Sequence, residues 1–361
     1  MHRGGAVARI DLSALAHNLQ QVRRRAPRAR VMAMVKADAY GHGALQCARA
    51  LDGADAFAVA RFSEARALRE AGIGKRLLLL PGVFSAEELD QAAQLNLDLA
   101  VHQEQQLELL EQTPGARFDI WLKINTGMNR LGFAASEAAA ICKRLQSCTA
   151  LRGRLKLMTH LSDADDPANS KSSTQIQSLL DHAGDCVEVS IANSAGILAW
   201  PAAHRDWVRP GIMLYGVSPF ADDCGSDHDL RPVMSFSAPL LDVRTLPKGA
   251  AVGYGSTWTA PEDMPIGAAA AGYADGYPRH LPSGTPVLIN GHRVALIGRV
   301  SMDTIVLDLR NCAAAQAGDE VLLWGPQLPV EDIARKAGSI GYELLSRMGP
   351  RVPRDYGSGD Y

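Results

Sequence analysis

Lys36 is the first residue whose position asks for a chemical reason. It ends the apolar run "VMAMV" and is followed at once by "ADAYGHG", a turn-like stretch with two glycines and a tyrosine. An unpaired charged lysine on a buried strand costs several kcal/mol, so the amine must be doing something there. Desolvation lowers a lysine's pKa and exposes a neutral nucleophile. Other polar residues close apolar runs in the same way. Lys123 lies near the end of "FDIWLKIN", His160 ends "RLKLMTHL", and Asn193 and Ser194 end "VEVSIANS". Arg209, Gly211 and Ile212 stand within "WVRPGIMLYG".

These runs belong to a larger pattern. Together with "AFAVA", "RLLLLPG" and "LDLAV" they make eight strand candidates, and most are separated by helical stretches such as "FSEARALREAG" and "SAEELDQAAQL". Parallel strands need helical crossovers and have both faces buried, so the alternation predicts an α/β fold, a (β/α)8 TIM barrel. Barrels place their chemistry at the C-terminal ends of the strands, where Lys36, Lys123, His160, Ser194 and Arg209 all fall. Ser194 offers a hydroxyl and Gly211 a closely approachable backbone, as a phosphate site after strands seven and eight requires. A lysine amine, a phosphate site and an arginine on one rim point to pyridoxal phosphate, whose aldehyde condenses with an amine.

The pattern changes after about Phe220. "FADDCGSDHDLRP" reads as a polar linker, and beyond it short strand-like segments are divided by Gly and Pro turns. "VLINGHRVALIG" places Asn-Gly where a hairpin needs it. The chain therefore divides into a barrel over 11–222 and a β-rich domain over 223–361, which the strand candidate in 1–10 is expected to join; "VEDIARKAGSIGYELL" is a late helical stretch within it.

Composition excludes several classes. The 361 residues are 47% hydrophobic and 21% charged, which suits a globular protein with an ample core. A net charge of -2 without a long basic run argues against nucleic acid, and no apolar run is long enough to cross a membrane. The six cysteines are scattered without metal-ligand spacing, so reduced thiols, no metal and a cytoplasmic location are expected.

Seven segments, "VKADAYGHG", "NTGMNRLGF", "IANSAG", "VRPGIMLYG", "VGYGSTW", "GYADGYPR" and "GRVSMD", resemble the signatures of alanine racemase, the fold-type III pyridoxal-phosphate enzymes. They occur in family order over almost the whole chain. The resemblance implies interconversion of L- and D-alanine by two bases on opposite faces of the substrate. Lys36 would carry the cofactor as a Schiff base and act on D-alanine, and Tyr254 would act on L-alanine. A single base would return the proton to the face it left. A chain Tyr254–His160–Arg209 would favour the phenolate, with Arg209 also on the pyridine nitrogen. Tyr40, Ser194, Gly211, Ile212 and Tyr342 match the phosphate ligands, and Arg130 and the backbone of Met302 match the substrate-carboxylate contacts. Asp165, Tyr273, Arg279 and Arg299 fall at the family's access channel. Members are homodimers in which Tyr254 and Met302 complete the partner's site.

Some readings compete. Lys123 matches a lysine carbamylated in many members, but an ion pair of the unmodified lysine with a nearby carboxylate, such as Asp119, is a second reading. Tyr40 and Tyr342 could be packing residues, and His42 belongs to the turn after Lys36. Some members carry a histidine where Ser190 stands, against the pyridine-binding arginine; the serine should leave Arg209 less constrained. An amino-acid decarboxylase, a racemase of serine or of larger side chains and a non-catalytic carrier of the cofactor are the alternative functions, and Tyr254 in "VGYGSTW" argues against the last.

Overall fold

Residues 4–113, 115, 117–183 and 187–357 are described by a computed structural model. After β1 (Val7–Asp11), the eight apolar runs form β2 (Arg30–Met34), β3 (Ala56–Val59), β4 (Arg76–Leu79), β5 (Asp98–Val101), β6 (Ile120–Asn125), β8 (Lys156–Met158), β9 (Glu188–Ser190) and β10 (Trp207–Val208). A two-residue strand, β7 (Phe133–Ala134), pairs only with the end of β6. The parallel order β5-β4-β3-β2-β10-β9-β8-β6 closes through β5–β6 into a barrel. Strands covered on both faces should be apolar throughout. All four residues of β3 and of β5 are buried. Outside the barrel, helix Leu12–Arg25 turns Ala14, Leu15, Leu19 and Val22 inward. Its start is fixed by Asp11, whose carboxylate accepts from the N–H groups of Ser13 and Ala14 at 2.8 and 3.0 Å.

Charged residues also gather at the opposite, N-terminal end of the barrel. Lys156, only 3% exposed, donates to Asp119 at 2.7 Å, and Asp119 also holds Arg152 at 2.9 Å and Arg76 at 3.2 Å. Asp98 accepts from the Trp121 indole at 2.9 Å and lies 3.3 Å from Arg76. Buried charges persist only when paired this fully. The cluster settles one alternative from the sequence. Asp119 does not pair with Lys123, because four steps along the extended chain separate them by roughly 13 Å and the carboxylate is committed to the floor.

The second half contains β11 (Met234–Leu246), β12 (Ala251–Val252), β13 (Trp258–Thr259), β14 (Met264–Ala269), β15 (Pro286–Ile289), β16 (His292–Ile297), β17 (Ile305–Asp308), β18 (Glu320–Trp324) and β19 (Arg354–Gly357). The order β14-β17-β16-β15-β18-β11 closes on itself because the long β11 pairs with both β18 and β14. β1 continues the sheet beside β11, and β19 lies parallel beyond it. Asn290 and Gly291, at φ 51° and 78°, make the β15–β16 turn as their types require. The late helical stretch is two helices, Val330–Lys336 and Gly341–Ser346, broken where Gly338 takes a positive φ of 60°.

One apolar core runs through both halves. Among the described residues no helix is long and apolar enough to cross a membrane, and the five cysteines are free; Cys186 lies outside them.

Candidate active site

The C-terminal rim of the barrel opens into a cavity of about 440 Å³. Lys36, Tyr40, Lys123, Arg130, His160, Asn193, Ser194, Arg209, Gly211 and Ile212 line it from the barrel. Tyr342 and Ser346 reach it from helix Gly341–Ser346 of the second domain.

The segment after Lys36 has an unusual backbone. Ala37, Asp38, Ala39 and Tyr40 all take left-handed conformations, with φ between 52° and 54°. Each such non-glycine residue costs roughly 1–2 kcal/mol, so the turn needs outside support. Ala37 N–H donates to Glu64 at 2.6 Å, and the Asp38 carboxylate accepts from Ala44 N–H at 2.8 Å. His42 Nδ1 lies 3.0 and 2.9 Å from the carbonyls of Ala39 and Tyr40, so it carries the proton and donates to both. His42 thus belongs to the turn, as its place in the sequence suggests. The result is that Lys36 and Tyr40 line the same cavity.

Around Ser194 the chain forms a small polar corner. The Ser194 hydroxyl accepts from the N–H groups of Gly211 at 2.9 Å and Met213 at 3.3 Å, leaving its own proton to donate elsewhere. A Cβ on Gly211 would stand 2.5 Å from the Tyr40 hydroxyl oxygen, so only glycine lets that hydroxyl approach. Tyr40 stacks on Tyr215 at 4.8 Å, and Tyr215 donates to the Met34 carbonyl at 2.8 Å.

Arg209 is buried and tightly held. Nη1 donates to the Ser190 hydroxyl at 2.7 Å, and Ser190 in turn donates to the Trp207 carbonyl at 3.1 Å. Nη2 donates to the carbonyls of Thr159 and Ile191 and lies 3.5 Å from His160 Nδ1. The loosening expected from Ser190 therefore does not occur; the hydroxyl is short enough to fit and strong enough to fix one arm of the fork. Both Nη atoms serve the protein, while the residue also lines the cavity.

The electrostatics follow from burial beside like charges. Lys36, Lys123, Arg130 and Arg209 line the cavity, and among the described residues no carboxylate does. Burial, then Arg130 and Arg209, lower the Lys36 amine, while Glu64 opposes them. Lys123 is pushed down to about 8 by burial and by Arg209, Arg130 and Lys36. His160 falls well below its ordinary value by burial and the same cations, so it is neutral. Burial brings Arg209 down to about 10, still a cation at neutral pH.

Other residues singled out in the sequence lie elsewhere on this chain. Tyr254 is 71% exposed and Met302 51% exposed, both on the second domain. They share one face: the Arg299 guanidinium lies beside Gly255, and Tyr273 and Ala274 donate to the carbonyls of Ser301 and Met302 at 3.0 Å. Arg279 is exposed, and Asp165 is exposed but near enough to Tyr342 to push its phenol up, after burial. Two residues near the site escaped sequence reading. Gln175, buried, donates to the His160 carbonyl at 3.1 Å and accepts from Ser162 N–H at 3.0 Å, yet nothing in its helix marks it. Glu64 shows only the spacing of a helix-capping glutamate. Among the described residues no cluster could hold a metal ion.

Known proteins resemble the chain throughout. The family model of the alanine racemase N-terminal domain matches residues 10–219, and that of the C-terminal domain matches 233–356. An alanine racemase of Nitrosococcus oceani is 50% identical over 346 residues, 96% of this chain and 97% of the relative. The crystal structure of a biosynthetic alanine racemase from Pseudomonas aeruginosa is similar, at TM-score 0.94 and 45% identity, covering 99% of this chain and 100% of that one. A Bartonella henselae alanine racemase, solved with covalently bound pyridoxal phosphate, is 30% identical at TM-score 0.88, covering 98% of this chain and 100% of that one. With both domains matched and nearly every residue covered by such relatives, the chain belongs to the alanine racemase family.

Proposed function

We propose that the cavity holds pyridoxal phosphate on Lys36 and that the protein interconverts L- and D-alanine with two opposed bases. The observation that carries this reading is the lining itself: Lys123, Arg130 and Arg209 line the cavity with an amine whose pKa is lowered, and among the described residues no carboxylate does. A phosphate dianion and a substrate carboxylate suit such a site, and an amine more readily deprotonated than an ordinary lysine suits an aldehyde. Ser194, Tyr40, Tyr342 and the backbone of Gly211 and Ile212 would hold the phosphate, and Arg209 the ring nitrogen. When bound, the group withdraws electrons from the α-carbon and makes its proton removable.

The rest is the work of the chain. Lys36 takes or returns the α-proton on one face, and Tyr254 of a partner subunit does so on the other. Neutral His160, held between Arg209 and the Tyr254 hydroxyl, favours the phenolate. Arg209 keeps its proton, so it donates to the ring nitrogen without protonating it. Arg130 and the Met302 backbone position the substrate carboxylate. Lys123 at about 8 is partly neutral at physiological pH, so its amine can add carbon dioxide and release a proton. The resulting carbamate would replace a cation with an anion that orients Arg130. Asp165 from one subunit and Tyr273, Arg279 and Arg299 from the other would line the approach. The protein would act as a cytoplasmic homodimer, supplying D-alanine for peptidoglycan or consuming it in catabolism.

Purified protein given pyridoxal phosphate should gain a visible absorption band that borohydride abolishes, leaving the reduced label on the Lys36 peptide. A colourless mixture, or a label on another lysine, would contradict the proposal.

A further inference from the structure

Glu64 lies outside the cavity yet grips the segment that shapes it. Its side chain is half-buried on helix Phe62–Glu70, which follows β3. Oε2 accepts from the N–H groups of Ala60 at 2.8 Å and Arg61 at 3.1 Å and so caps that helix. Oε1 accepts from Ala37 N–H at 2.6 Å. Capping accounts for the first oxygen and has no use for the second. Ala37 directly follows Lys36 and opens the run of four left-handed residues. At the far end of that run, Arg354 of β19 donates to the Gly41 carbonyl at 2.9 Å and lies 3.4 Å from the Asp38 carboxylate. The turn is fastened at both ends.

We infer that Glu64 is a positioning residue for Lys36: its carboxylate fixes the start of the left-handed turn and sets a negative charge beside an amine otherwise surrounded by cations. This rests on Lys36 being the cofactor-bearing lysine. Among the described residues, the groups acting on or coupled to Lys36 are Arg130, Arg209, Lys123, the neutral His160 and Glu64, and of these only Glu64 is an acid. Burial and the two arginines favour the neutral amine; Glu64 favours the ammonium. The site therefore holds the amine between two opposed influences.

Glu64→Gln keeps the size of the side chain but removes its charge, and an amide nitrogen cannot accept from a backbone N–H. Either the cap or the turn then loses a bond, and the Lys36 amine loses the charge that holds its proton. Full-length apoprotein captures added pyridoxal phosphate only through the neutral amine, so the capture rate rises with pH. In Glu64→Gln the midpoint of that rise should move to lower pH, and bound cofactor should be released about tenfold faster, as loss of one charge-assisted bond implies. Glu64→Asp keeps the charge but withdraws it, so release should quicken while the midpoint stays near that of the unmodified protein. Should the Gln variant not fold, the Asp release rate decides. An unmoved midpoint in Glu64→Gln, or unmodified release in either variant, overturns the inference. If the unmodified protein is labelled on Lys36, such a result removes the role of Glu64 alone; if it is not, the cofactor reading itself has failed.

Discussion

Lys36 and Tyr254 are the two residues on which the proposed reaction turns, and their surroundings differ sharply. The lysine sits half-buried in a cationic cavity that lowers its pKa, whereas the tyrosine stands exposed on the other domain. Their roles can be separated by following exchange of the α-proton with deuterated water from each enantiomer. In Tyr254→Phe, exchange from L-alanine should fall by about 10²–10⁴-fold, the usual worth of a positioned base. Exchange from D-alanine, begun by the intact Lys36, should be much less affected, and equal losses from both would contradict the assignment. Residues such as Lys36, His160 and Arg209 were legible because several polar residues close apolar runs on one rim, within segments that resemble the family's. Alone, a lysine at a strand end is usually a snorkelling side chain. Glu64 and Gln175 were not, since each acts through hydrogen bonds to distant backbone and looks like an ordinary helix residue in sequence.

At the scale of elements, the same strands carry charges at both ends for opposite reasons. Those at the rim face a cavity; those at the floor are spent on one another. Asp98 illustrates the difference. Burial pushes its carboxyl up to about 6, against the pull of Arg76 and the Trp121 indole. A carboxyl whose folded pKa is raised contributes stability that is full below its ordinary value and lost as pH climbs through about 6. The amide of the Asp98→Asn variant does not titrate. Thermal melts at about pH 5 and about pH 8 should therefore show the unmodified protein's advantage over Asp98→Asn shrinking as pH rises; a widening advantage would contradict the assignment. All eight barrel strands were readable as apolar runs because both faces of a parallel strand are buried. The left-handed turn at 37–40 was not, because an Ala-Asp-Ala-Tyr run does not announce it and bonds from Glu64 and Arg354, distant in sequence, join the local ones from Asp38 and His42 in holding it.

The whole molecule is built from a barrel that supplies a cavity and a β domain that supplies two of its walls, Tyr342 and Ser346. The same domain carries Tyr254 and Met302 on an exposed face, away from the cavity of its own chain. The division between α/β and β-rich halves was legible from the change of pattern after Phe220. The joint between them was not, since it rests on pairings such as β1 with β11 and on Arg354 reaching the turn after Lys36. A shared site makes a sharp demand on mixed dimers. Lys36→Ala and Tyr254→Phe should each be nearly inactive alone in converting L- to D-alanine. Co-expressed in equal amounts, half of the dimers would be mixed, and each mixed dimer would contain one site with both native residues, so about a quarter of normal activity should return. If Lys36 and Tyr254 instead worked within one chain, every site would carry a defect, and co-expression would restore nothing.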